Sequence, residues 1–273
     1  HRTGPEQFYL VSAGVLERHD FDYLQKMRPR DGTVDLQKVT TQQGVFVLAG
    51  PRSRELLQRI TRVDLSNAAF PWLVGKEADL GVAHGRVLRV NFVGELGYEL
   101  HHPIEMQNYL FDLLFEAGED LGLRPFGIRA MDSLRLEKSY RLVPRELSIE
   151  YAALESGLQR FVKFDKPEFI GKAGLSKWQE NGFRWQFVTA EMRGAKGVDA
   201  RGSEPIYRAG ELVGRSTSGG YGWRVGKSLV LGMVAPECAS VGTEMDIEVL
   251  GQRYALVVID ESPFDPDNRR LRS

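Results

Sequence analysis

The sequence predicts an α+β protein in which a mixed part over residues 1–182 precedes a small domain of strands and tight turns over residues 183–273. Three observations lead there. In the first part, strand-like apolar runs alternate with helical spacing, as where Val45–Ala49 precedes Leu56, Leu57 and Ile60. From Trp185 the pattern changes to short runs such as WQFVTAEM, LVLGMVAP and DIEVLGQRYALVVID, broken by turn residues. No internal repeat, low-complexity tract or long Gly/Ser linker interrupts the chain.

Taken in order, Phe8–Ala13 reads as a strand, and Asp20–Lys26 begins a short helix or turn region that stops near Pro29 and Asp31-Gly32. After the strand Val45–Ala49, Gly50-Pro51 opens a helix with proline in its first position, where the missing N–H has no helical partner to lose. Gly85–Val93 and Gly97–His101 are two strands joined through Gly94-Glu95-Leu96. A helix from Ile104 to Ala117 gathers Tyr109, Leu110, Leu113, Leu114 and Ala117 on one side, fit to cover a sheet, before Gly118 stops it. Ile128, Met131 and Leu134 mark a further helix reaching Tyr140, with Glu137 and Arg141 spaced for an ion pair. Beyond the short segment Gly171–Gly182, Gly251-Gln252 is the expected hairpin turn.

Composition narrows the function classes. A formal net charge of −1 offers no broad attraction for nucleic acid or an anionic membrane, and no run of about 18 apolar residues is present to span a bilayer. One cysteine, Cys238, cannot form an internal disulfide; that suits a reducing compartment, cytoplasm or mitochondrial matrix, and the role of a small buried apolar residue. His1, His19, His84, His101 and His102 contain no HExxH pair, and adjacent His101 and His102 point to opposite faces of a strand, so no metal site is expected. Gly219–Gly222 lacks both the GxGxxG spacing and a strand-to-helix context, and reads as a β turn. There is neither a phosphate loop nor a GxSxG elbow.

What remains is a carboxylate at a bend, Glu95 between Gly94 and Gly97. It is either a solvated turn residue or a ligand anchor. Gly94-Glu95-Leu96-Gly97-Tyr98-Glu99 resembles the GE-x-G-aromatic-E segment of the aminomethyltransferase family, the glycine-cleavage T-protein and its folate-binding relatives. Four further stretches agree in order: Ala49-Gly50-Pro51 before Leu56-Leu57; Ser133–Glu137; Ala153–Leu158 with Val162–Asp165 and Phe169–Lys172; and Thr217–Tyr221 followed by Leu231-Gly232. Ala130–Lys138 and Pro263-Phe264-Asp265-Pro266 are most similar to the C-terminal folate domain of dimethylglycine and sarcosine dehydrogenases.

The resemblance implies a T-protein-like folate-binding α/β domain, residues 1–182, followed by a small C-terminal β-barrel domain, residues 183–273. It implies tetrahydrofolate as cofactor and capture of the one-carbon unit as 5,10-methylenetetrahydrofolate. FAD enters only with an additional flavin oxidoreductase domain or subunit as partner. Glu95 is the expected pterin anchor, since a carboxylate can accept both N–H donors of the aminopyrimidinone edge in one charge-assisted pair. Tyr98 offers a stacking face or fills the core. Arg129 and Arg269 are candidates for the glutamate tail, and Tyr221 for the pocket rim. Where the glycine-cleavage proteins carry an arginine before the helix aspartate, this chain has Met131. The family's acidic residue for one-carbon transfer lies in an N-terminal segment of about 100 residues ahead of Phe8, a length typical of a domain part, and is expected outside this chain. No catalytic residue is therefore assigned; the expected contribution is proximity. The alternatives are a stand-alone aminomethyltransferase or demethylase, and a folate-binding or scaffold protein without chemistry.

Overall fold

The computed structural model describes residues 1–273. They form two compact units, one of His1–Asn91, Glu95–Arg124 and Leu271–Ser273, the other of Phe92–Gly94 and Pro125–Arg270.

In the first unit, α1 (Glu17–Met27) precedes β1 (Gln43–Ala49), α2 (Ser53–Ile60), β2 (Gly75–Leu80), β3 (Ala83–Leu88), β4 (Gly97–Pro103) and α3 (Gln107–Gly118). The four strands make one antiparallel sheet in the order β1-β4-β3-β2. Leu56, Leu57 and Ile60 of α2 and Leu110 and Leu114 of α3 join Tyr98 and Leu100 of β4 in a single core. Burial of each such side chain contributes about 1.5–3 kcal/mol, which is what holds these short helices on the sheet. Gly118 admits no side chain, because a Cβ there would meet Leu56 at 2.6 Å and Leu123 at 2.7 Å.

Two expectations shift in this unit, and one strand went unforeseen. Phe8–Ala13 is no strand; Phe8 makes only an isolated bridge to Arg2, and Phe8, Leu10 and Val11 stay exposed. Beyond that bridge and two hydrogen bonds between Tyr9 and His1 the run finds no strand to pair with, and apolar content alone does not make a strand. Pro51 precedes rather than opens its helix, which begins at Ser53 after Gly50 accepts the Ser53 N–H at 3.0 Å. The edge strand β2, GKEADL, buries only Ala78 and Leu80 and carries almost no apolar signal.

In the second unit, α4 (Ile128–Leu136) and α5 (Lys172–Asn181) precede β5 (Gln186–Arg193), β6 (Pro205–Arg208), β7 (Glu211–Gly222), β8 (Lys227–Val234), β9 (Glu244–Val249) and β10 (Gln252–Ile259); a short α6 (Arg269–Arg272) begins in this unit, and its last two residues count with the first. The six strands close into a barrel in the order β10-β5-β8-β7-β6-β9, which removes every open edge. Val188, Ile206, Val230, Ile247 and Leu256 fill it, with Cys238 buried among them.

Helix α4 ends at Leu136, short of Tyr140, as Ser139 takes a positive φ of 56°. The Glu137–Arg141 pair does not form. Glu137 accepts from Arg224, while Arg141 binds Glu261 at 2.7 and 2.9 Å. Gly219–Gly222 is not a turn but the end of β7, in register with Leu229 and its neighbours on β8. Its glycines serve close approach: a Cβ on Gly219 would lie 2.6 Å from the Ala200 carbonyl oxygen, and one on Gly222 2.9 Å from Glu137. The β9–β10 turn sits one residue earlier than expected, on Leu250-Gly251, whose φ values of 52° and 77° suit a tight hairpin.

Candidate functional site

The bend that carries Glu95 is fastened at its far side. The Leu96 carbonyl accepts the Gly50 N–H at 2.8 Å and the Ser53 hydroxyl at 3.1 Å, so the β1–α2 turn grips the segment just before β4. Asn91 donates its amide to the Glu95 carbonyl, and a Cβ on Gly97 would press to 3.0 Å against both Asn91 and the Leu48 carbonyl. Gly94 has a φ of 72°, and its missing side chain leaves room for the Lys138 methylenes, which a Cβ would meet at 2.6 Å. The two glycines are therefore explained by backbone geometry and close packing. Glu95 itself is half-buried.

Tyr98, the next sequence candidate, is wholly enclosed against Phe70, with ring centroids 6.0 Å apart, so no face of its ring is open to a ligand. The core alternative is the one its position matches. Arg129 is exposed on α4. Tyr221 lies on strand β7 rather than in a turn, part-exposed, with its ring edge-on to Trp223 at 4.9 Å. Arg269 is exposed at the start of α6, where Asp265 caps the turn, and it pairs with Asp267 at 3.1 Å. Glu95 and Tyr98 thus belong to the first unit, and Arg129, Tyr221 and Arg269 to the second.

Sequence reasoning passed over a second carboxylate in the same motif. Strand alternation sets Tyr98, Leu100 and His102 towards the helix-covered core and Glu99 and His101 towards the other face, where their register partners Val47 and Val45 are exposed. Glu99 lines a cavity of about 400 Å³ in the first unit, walled by Val11, Leu73, Val74, Leu88 and Val90 and by His1 and Tyr9. That size and lining suit a small organic ligand. Glu99 accepts from His101 Nε2 at 3.1 Å, and His101 Nδ1 lies 3.1 Å from the Tyr9 hydroxyl. Burial pushes the Tyr9 hydroxyl up from its ordinary pKa, the nearby Arg86 guanidinium opposes this and Glu99 adds to it, with a net rise. The available signal was the period-two pattern of GYELHH itself.

Most other residues of the shared motifs hold the second unit together. Arg135 is fully buried; it donates to Asp132 at 2.7 Å, the Tyr140 carbonyl at 3.1 Å and Ser218 at 2.8 Å, and its guanidinium lies 3.5 Å from Glu146. Glu146 in turn accepts from Thr217 and Ser218, each at 2.6 Å, and from the Leu142 N–H at 2.8 Å. Glu155 accepts three backbone N–H groups, of Ala152, Arg184 and Trp185. Lys138 donates to the carbonyls of Phe264 and Asp265.

Against known families, residues 1–166 match the GCVT N-terminal domain and residues 186–265 the glycine cleavage T-protein C-terminal barrel domain. The chain is 35% identical over 272 residues to mitochondrial dimethylglycine dehydrogenase of Homo sapiens, covering 98% of this chain and 31% of that protein. It is 31% identical over 259 residues to an aminomethyltransferase of Desulfitobacterium hafniense (strain Y51), covering 95% of this chain and 70% of that protein. The chain thus spans under a third of the dehydrogenase and most of the stand-alone transferase. The crystal structure of glycine cleavage system aminomethyltransferase T from Bartonella henselae shares the fold, with a TM-score of 0.79 at 22% identity over 92% of this chain and 67% of that one. With both family models matched along most of its length, the chain belongs to the aminomethyltransferase (glycine cleavage T-protein) family.

Proposed function

We propose that this chain performs tetrahydrofolate-dependent one-carbon transfer, capturing the methylene unit released by oxidative demethylation of an N-methyl amine such as dimethylglycine or sarcosine. The observation that carries the reading is a carboxylate of the family's glycine-glutamate motif, Glu99, on the wall of a largely apolar cavity of about 400 Å³. Its chemistry fits a reduced pterin: apolar walls for the flat ring, an ionised acceptor for the paired N–H donors of its edge. The likeness to dimethylglycine dehydrogenase supports the amine-demethylating context, in which FAD would belong to a flavin domain or subunit acting as partner. The chain's own contribution is to hold the folate amine where the electrophile arrives.

Glu95 is the candidate from the motif and Glu99 the candidate from the cavity. Calorimetry with tetrahydrofolate separates them: Glu99→Gln weakens binding by at least about tenfold, while Glu95→Gln changes it by less than about threefold. Loss in Glu95→Gln alone returns the role to Glu95. Likeness over 70% of a stand-alone aminomethyltransferase favours a second reading, in which the one-carbon donor comes from the glycine cleavage system. Formation of 5,10-methylenetetrahydrofolate from dimethylglycine in the presence of a flavin dehydrogenase domain supports the first reading. Formation only with the glycine-cleavage aminomethyl donor supports the second, and none with either leaves a folate-binding protein without chemistry.

A further inference from the structure

We infer that His101, held by Tyr9, is a positioning residue that fixes the Glu99 carboxylate for ligand binding at the first unit's cavity; this rests on the reading of Glu99 as the pterin acceptor. The three side chains form a line. His101 is 2% exposed, its Nδ1 is 3.1 Å from the Tyr9 hydroxyl, and its Nε2 is 3.1 Å from Glu99 Oε2. A neutral imidazole has one donor and one acceptor nitrogen, so the tautomer decides whether Glu99 is held or repelled. A phenol that donates to Nδ1 leaves the proton on Nε2, the tautomer that can donate to an ionised carboxylate. Tyr9 is itself restrained: its ring lies edge-on to His101 with centroids 5.4 Å apart, and the Arg86 guanidinium covers it at 4.6 Å.

The neighbouring histidine shows what a purely structural role looks like on the same strand. His102 is stacked on Phe46 at 5.0 Å, and its nitrogens meet the Leu100 carbonyl and Gln107 on the helix-covered face. His101 instead spends both nitrogens on polar side chains beside the cavity. A carboxylate already oriented by folding loses less freedom when the ligand arrives, which is where pre-organisation adds affinity.

The test uses the full chain and tetrahydrofolate, with binding read by calorimetry and folding by thermal midpoint. Glu99→Gln weakens binding by about tenfold or more, and Tyr9→Phe and His101→Phe each by about three- to tenfold. His101→Gln, whose amide can donate from the position of Nε2, binds within about twofold of the native chain. If Glu99→Gln binds as the native chain does, the reading of the cavity fails. If Glu99→Gln weakens binding but Tyr9→Phe and His101→Phe do not, the positioning role is overturned while the cavity stands. Equal loss in His101→Gln and His101→Phe also overturns it, since packing alone would then account for the effect. Tyr9→Phe keeps the ring and so remains informative where a His101 variant folds poorly.

Discussion

At the scale of single residues, the shared motifs divide into groups that hold the fold and groups that face a ligand. Arg135 and Glu137 both proved to be buried ion-pair residues, in keeping with the general preference of helical arginines for packing and pairing. Glu146, absent from the sequence candidates, is the hub of the second unit's polar network, and nothing in its local sequence announces that its partners Thr217 and Ser218 lie some seventy residues on. Glu146→Ala strands a buried guanidinium and three donors, and should destabilise the chain by about 3–5 kcal/mol in denaturant titration. Glu204 supplies a pH test. Burial pushes its carboxyl up, but hydrogen bonds from Ser216 and the N–H groups of Arg201 and Gly202 outweigh this and hold it below its ordinary value of 4.5. A carboxylate lowered on folding contributes stability above its unfolded pKa and loses it as pH falls through the folded one. Glu204→Gln should therefore lower the thermal midpoint at neutral pH and flatten its decline on the acid side, below about pH 4.5.

Among the elements, those with strong periodicity were readable and those whose shape depends on a partner were not. Helices α2 and α3 follow from apolar spacing, because an amphipathic stripe must find a core. Strand β2 is nearly invisible, since an edge strand of the open sheet buries little. The glycines of Gly219–Gly222 suggest a turn to local reasoning, yet in the barrel they let β7 pass close to Ala200 and Glu137. The same logic governs the bend before β4. Gly94→Ala combines a positive φ with a collision on Lys138, and should cost about 1–3 kcal/mol in unfolding free energy. If Gly94 served only ligand access, that variant would unfold like the native chain and lose only tetrahydrofolate affinity.

For the whole molecule, two-part organisation and α+β character could be read from the change of pattern near Trp185. The partition of contacts could not: Pro125–Gly182 belongs with the barrel strands in one compact unit, and only tertiary packing decides that. Ligand binding is testable at this scale without reference to any one residue. Tetrahydrofolate at about one hundred times its Kd should raise unfolding free energy by about 2.7 kcal/mol, and the roughly tenfold weaker binding of Glu99→Gln should cut the rise to about 1.4 kcal/mol at the same ligand concentration.

The contribution of Leu271–Ser273 to the first unit carries a consequence for biosynthesis. Arg54 and Arg89 both donate to the Ser273 carbonyl, at 2.7 and 2.9 Å, and Asn67 donates to that of Arg272 at 3.3 Å. Arg89 is almost wholly buried. As the chain leaves the ribosome, the sheet of the first unit can pair once residue 103 has emerged, yet these donors wait for their acceptors until the entire barrel has been translated.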